Sequence, residues 1–490
     1  MKVHRMQKIF CTMLFVILIP VGVTGDLFIN DLVLNYSDFS YITSIAVGYH
    51  YVYFGTTNGI TRYNITKSEW AEPMMLGDEP GSGIIHEIKA SFDDENVWVR
   101  TDLGVFEYSE VLEYWTQIDQ MPNVETHGKH IAADDVYFPP WGYDYLPGGI
   151  LVDERDRRFP LTDIVDDGWG NLWIGTWGLG AARSDEGGRR IDLLPYGLLQ
   201  KDIQCLYRNG DVLWISGEAG DSYRTGLTKF NTADNSFDYI ESFGGYIYSA
   251  DDVYGISGND ANIFVATNDG IWVVDKKEKL IKDQFNRSSG LPDNQIFTIL
   301  AIGDTLFVGT EYGLSIINIY SDSVKRISPT LLSSLTVLCL KQAGENLWVG
   351  TNRGAYRLNL ETGHIDYLTA GEITQTGSVY DIEYDNGKIW LVTDYELASI
   401  DVSTADIKIF PEVNGYGGAG AIAVRDTLIA AATLQGLLLI SQGKNRYSQL
   451  YTTSDGLLSD NIRDLIFDDN YLWLGTDSGL VRFWYKNPSM

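Results

Sequence analysis

The sequence predicts an all-β protein assembled from one repeated unit, and three observations carry that prediction. The first is the stretch LWLGTDSGLVRF, Leu472 to Phe483, in which an apolar-aromatic run ends at Gly475-Thr476, two polar residues follow, and a second alternating run begins. That pattern is a strand, a tight hairpin and a return strand, with Gly479 at the point where the hairpin needs the positive φ that glycine adopts cheaply. The second is its recurrence: VYFGTTNG from Val52, VWVRTDLG from Val97, LWIGTWGLG from Leu172, IFVATNDG from Ile263, LFVGTEYG from Leu306 and LWVGTNRG from Leu347 are copies. Weaker copies run LWISGEAG from Leu213, IWLVTDYE from Ile389 and LIAAATLQG from Leu428. The third is their spacing of mostly about 40 to 50 residues, the period of four-stranded β-propeller blades.

Taken in order, the chain opens with a secretory signal. Lys2, Arg5 and Lys8 precede a mostly apolar run from Ile9 to Val23, and Val23-Thr24-Gly25 supplies small residues for cleavage. Residues 1–25 are thus expected to be removed and residues 26–490 to form the repeat region, exported to the periplasm or secreted, with no membrane span after cleavage. Cys11 precedes most of the apolar run and is badly placed as a lipoprotein cysteine. The 36 basic residues face 66 acidic ones. Removing the signal deepens that imbalance, which argues against nucleic acid or anionic membranes as partners and favours solubility. Cys205 and Cys339 lie in matching strand contexts, DIQCLY and TVLCL, and are expected to be core residues rather than a disulfide.

Each module repeats one order. A short apolar strand such as Ile462 to Phe467 leads to a polar turn at Asp468-Asp469-Asn470, then the strand with the Trp, the hairpin, a third strand, a turn such as Glu361-Thr362-Gly363, and an outer strand such as His364 to Leu368. Between Thr101 and Thr176 the stretch Val136 to Asp153 fits as a further copy, with Pro139-Pro140 in place of Gly-Thr, for a total of about eleven modules. The last module stops near Trp484, and an orphan strand, Leu27 to Leu34, precedes the first. Pairing the two would close a ring and hide both edges. Eleven blades exceed the usual four to eight per ring, so two propellers, one interrupting the other, are expected, with a single large propeller as the alternative. The internal split is not assignable from these residues.

Three segments carry a resemblance: SSGLPDNQIFTI (Ser288 to Ile299) leading to LFVGTEYGL, SDGLLSDNIRDLIFDD (Ser454 to Asp469) leading to LWLGTDSGLVRF, and IVDDGWGNLWIGT (Ile164 to Thr176). They resemble the two-component regulator propeller repeat. The resemblance implies the sensing part of a periplasmic receptor responding to carbohydrate fragments. This chain shows neither a second hydrophobic segment nor a kinase region, so a free-standing binding or scaffold protein is expected.

Candidate ligand-binding residues follow from the register. The residue after the key Thr is Thr57, Asp102, Trp177, Asn268, Glu311, Asn352, Asp394 or Asp477, with Trp141 and Glu218 at the equivalent places in the irregular copies. The loop beyond Trp141 adds Tyr143, Asp144 and Tyr145, and an insertion from Glu218 to Gly226 adds Asp221, Tyr223 and Arg224. Exposed aromatics beside carboxylates suit sugar stacking and hydroxyl hydrogen bonding; packing of a long loop is the competing role. Trp98, Trp173, Trp214, Trp348, Trp390 and Trp473 share one strand position and are expected in the core. Asp144 and Glu218 are the least arbitrary carboxylate pair for a hydrolase or lyase. The His127 to His130 segment, HGKH, offers weak metal spacing, and no cofactor motif stands out. The expected function is non-catalytic binding of an extracellular small molecule, oligosaccharide or protein partner, with carbohydrate the first choice. A carbohydrate-active propeller enzyme and a structural surface protein are the alternatives.

Overall fold

The computed structural model describes residues 32–75, 84–92, 96–109, 114–133, 142–185, 191–218, 224–241, 252–327, 329–368, 377–394, 396–443 and 446–486. The expected signal segment, residues 1–25, and the Leu27 end of the expected closing strand lie outside them. Among the described residues the strands form ten antiparallel sheets, nine of four strands and one of seven.

Seven sheets make a closed ring. Blade 1 spans residues 203–241, blade 2 residues 253–285, blade 3 residues 296–326, blade 4 residues 337–367, blade 5 residues 379–410 and blade 6 residues 419–451. Blade 7 consists of Ile462–Phe467, Leu472–Thr476 and Leu480–Phe483, and its fourth strand is Val33–Tyr36 from the other end of the chain. The inner strands pack in succession and the seventh returns to the first. The closure is sealed by the Leu206 N–H, which donates to Asp464 Oδ2 at 2.7 Å. At Gly479 φ is +149°, and a Cβ there would lie 2.3 Å from the Tyr36 carbonyl oxygen of the closing strand, so glycine is required for both conformation and space.

The other three sheets form an arc inserted between the closing strand and blade 1. Its first sheet holds Ile42–Val47, Tyr51–Thr56, Gly59–Asn64 and Glu69–Trp70, and its second holds Glu87–Ala90, Val97–Thr101, Gly104–Ser109 and Tyr114–Ile118. The third holds Arg158–Asp166, Asn171–Thr176, Ala181–Asp185 and Ile191–Leu194. In space the third sheet precedes the first and the first precedes the second, because Asp163 accepts from the Ile45 N–H (2.8 Å) and Ser44 from the Ile88 N–H (3.3 Å). The arc therefore interrupts the ring, and among the described residues only the ring closes. The described part of the stretch read as an eleventh module is a hairpin, Tyr143–Leu146 and Ile150–Asp153, that pairs with the start of the Arg158–Asp166 strand and extends the third sheet.

The core lies between blades. All six tryptophans at the shared strand position are buried, from Trp173 at 0% exposed to Trp98 at 7%. Cys205 and Cys339 are buried and unpaired, and burial pushes their thiols well above the ordinary range. The Gly of the Gly-Thr signature is where the next blade arrives. A Cβ on Gly175 would lie 2.5 Å from Ile42 Cγ2, on Gly55 2.6 Å from Ile85 Cγ2, and on Gly475 2.6 Å from Ile203 Cγ2. Arc and ring meet in an aromatic seam: Trp70 stacks on Tyr196 at 4.6 Å, whose hydroxyl donates to the Ala71 carbonyl, and Arg482 reaches Glu72 at 2.8 Å.

Candidate functional site

On one side of this joint the hairpin of the third arc sheet faces blade 1, and charged side chains converge there. Arg157 Nη2 lies 2.6 Å from Asp153 Oδ2 and 2.7 Å from Glu241 Oε2. Arg224 donates through Nε and Nη2 to Glu241 Oε1, both at 2.9 Å, and Arg155 Nη1 stands 3.7 Å from Oε2. Burial alone would raise the Glu241 carboxyl. The Arg224 and Arg157 charges outweigh burial and hold it below the usual carboxylate range. For Asp153 burial is likewise overcome, here by hydrogen bonds from Arg157. The guanidinium of Arg224 also lies over the Tyr239 ring, 5.0 Å from its centroid.

A second group of residues fixes an exposed indole beside this network. Ser40 donates through both N–H and Oγ to Asp38 Oδ1, and its carbonyl accepts from the N–H groups of Gly178 and Gly180, each at 2.9 Å. Asp38 is buried, and burial pushes its carboxyl up to about 6. The loop so held begins with Trp177, whose N–H donates to the Pro160 carbonyl at 2.8 Å and whose ring meets the Tyr41 ring edge-on at 5.2 Å. Trp177 remains 41% exposed. Phe159 bridges the two groups: Tyr143 packs against it edge-on at 6.2 Å, and Arg157 lies over it at 5.6 Å.

The residues expected from sequence fall at two places. Tyr143 and Trp177 share the joint, as does Arg224, and Tyr145 supports the hairpin from behind by donating to the Ala133 carbonyl at 2.7 Å. Asp144 is exposed on the same strand, opposite Val152. Glu218 sits instead at the ring mouth, its N–H donating to the Asp202 carbonyl at 3.0 Å. Trp141, Asp221 and Tyr223 lie outside the described residues. His127 and His130 engage the Asp167 carbonyl and Asp163 rather than each other. No group of three or more His, Cys, Asp or Glu able to hold a metal occurs among the described residues. Sequence reasoning missed Asp38, Asp153, Arg155, Arg157 and Glu241. Glu241 meets Arg157 across 84 positions, and no local pattern announces such a pairing.

No known family profile matches the sequence, and no curated protein matches it. Solved structures do. One is PorZ, described as an essential bacterial surface component of the type-IX secretion system of Porphyromonas gingivalis, with a TM-score of 0.50 and 14% identity over 91% of this chain and 74% of that one. The chain shares its propeller fold. Another is the extracellular domain of BT4673 from B. thetaiotaomicron, described as belonging to a hybrid two-component system, with a TM-score of 0.48 and 14% identity over 90% of this chain and 70% of that one. Among the described residues no helix is long and apolar enough to cross a membrane.

Proposed function

We propose that this protein is an exported, non-catalytic binding propeller whose ligand is received at the joint between arc and ring, with an oligosaccharide as the ligand class. The observation that carries the reading is Trp177, a large aromatic left exposed on a loop anchored to a buried carboxylate. A fixed indole presents a ready stacking face for a sugar ring. The neighbouring guanidinium and carboxylate groups are placed for hydroxyl recognition. An enzymatic role is disfavoured by the same geometry. Asp153 and Glu241 are locked in ion pairs and held below the usual carboxylate range, the opposite of what a general acid needs. The other carboxylate pair considered, Asp144 and Glu218, is divided between the hairpin and the ring mouth.

The test is calorimetric titration of purified protein with an oligosaccharide panel, alongside Trp177→Ala and Tyr143→Ala. Loss of binding of at least about tenfold in the Trp177 variant is expected, equivalent to ~1.4 kcal/mol. Binding untouched by both substitutions would remove the joint as the site, and new reducing ends in the incubated sugars would favour the enzyme.

A further inference from the structure

The ring carries a second feature, separate from the joint. In all seven blades the inner strand contains an extra, unpaired residue near the loop that precedes it: Gln204, Tyr254, Phe297, Leu338, Tyr380, Gly420 and Arg463 in blades 1 to 7. Such a bulge re-aims its side chain, and the inner edge of a propeller sheet has only the axis to face. Contacts between blades bear this out. The Tyr254 and Phe297 rings of blades 2 and 3 lie 6.5 Å apart, and Arg463 of blade 7 reaches to 4.0 Å from Asp202 ahead of blade 1.

The mouth so formed has two kinds of wall. Tyr254, Phe297 and Tyr380 provide aromatic surface, and Tyr380 is oriented by its hydroxyl, which donates to Asp394 Oδ1 at 2.5 Å. Around them stand Asp202, Glu218, Asp252 and Asp477, with Arg463 the cation that reaches Asp202. Burial raises the Asp202 carboxyl; Arg463 opposes the rise, while Glu218 and Asp477 add to it. The Tyr254 hydroxyl is raised by burial and then by Asp252 and Glu218. Glu218 and Asp477 thus act on Asp202, and Asp252 and Glu218 on Tyr254, across the joins between blades 7, 1 and 2.

We propose that this mouth binds a basic peptide segment, with a lysine or arginine side chain entering between the aromatic rings. Carboxylates supply the long-range attraction and ring faces the short-range cation–π contact. The charges are spread along the rim of several blades instead of converging on a point, which matches an extended polycation better than a single small ion. The proposal concerns the ring mouth and does not rest on the Trp177 site.

The experiment is fluorescence anisotropy with labelled hexalysine, and hexaglutamate as control, on the whole protein in moderate salt. Hexalysine is expected to bind, Tyr254→Ala and Asp202→Asn each to weaken it by about three- to tenfold, and Tyr254→Phe to keep most of the affinity. Asp401→Asn, a charge change on a distant turn, is expected to leave it within about twofold. Equal losses for the distant and mouth variants would mean unspecific attraction to an acidic protein and would overturn the proposal. So would absence of binding, or saturable binding of choline in place of the peptide. Oligosaccharide titration of Tyr254→Ala separates the two sites, because it should match the wild type.

Discussion

The ring and the arc are built from the same unit, yet among the described residues only the ring closes. The difference is visible at one repeated position. In the ring, Gly475 receives Ile203 of blade 1 so closely that no side chain fits between them; in the arc, Gly175 receives Ile42 and Gly55 receives Ile85 in the same way. The second arc sheet has Arg100 there instead, exposed and paired with Glu87 at 3.0 Å, while Glu87 also reaches Lys89 at 3.7 Å. A sheet whose face carries its own ion pairs at the docking position is finished for contact with water. One residue in VWVRTDLG thus marks where blade addition ends.

The largest effect should come from closing and opening that position. Gly475→Leu forces a side chain into the space of Ile203 and should cost about 3 kcal/mol or more in denaturant unfolding, whereas Arg100→Gly should stay within about 0.5 kcal/mol. Equal costs would end the distinction between ring and arc. Next, Glu241→Gln leaves Arg157 and Arg224 facing each other in a largely buried place. It should cost roughly 3 kcal/mol and loosen the arc from the ring before the ring itself unfolds. Hydrogen exchange would show faster opening in residues 143–153 than in blades 3 to 6.

The pH dependence is a smaller effect with a definite sign. Burial pushes the Asp464 carboxyl, which seals the ring, up to about 7. The native state then holds a proton that the unfolded chain has released, so this residue's contribution is complete below about pH 4 and is lost as pH rises through about 7. Relative to the wild type, Asp464→Ala should therefore appear less stable at pH 5 than at pH 8, measured as thermal midpoints. The same relative midpoint at both pH values would contradict this assignment. Trp177→Ala is expected to cost under about 1 kcal/mol of stability, since the loop is held by backbone bonds to Ser40.

Much of the fold was legible because blades are local. Each hairpin, buried Trp and thiol follows from a few neighbouring residues, and the repeat multiplies that signal. The closing pair was also legible in outline: the described part of the strand that pairs with Leu480–Phe483 is Val33–Tyr36, which overlaps the expected segment at Val33 and Leu34. The stretch with Pro139-Pro140 was harder. It keeps a hairpin, but proline cannot donate to a ladder, and the described strands beyond it add to a neighbour's sheet. The free end of the arc was written at Arg100 and passed over, because a single Arg in place of Gly gains meaning only once Gly is known to be a contact between blades. Trp177 and Tyr143 were legible as departures from a regular loop, whereas Asp38, Arg157 and Glu241 belong to a site made by distant segments meeting.

The most direct test of the joint as the functional site is hydrogen exchange of the full chain with and without a saturating oligosaccharide found in the panel. The account expects new protection confined to residues 38–41, 143–153 and 177–180, with the ring mouth unchanged. Protection at the ring mouth or along the outer strands, with those three segments unaltered, would contradict it.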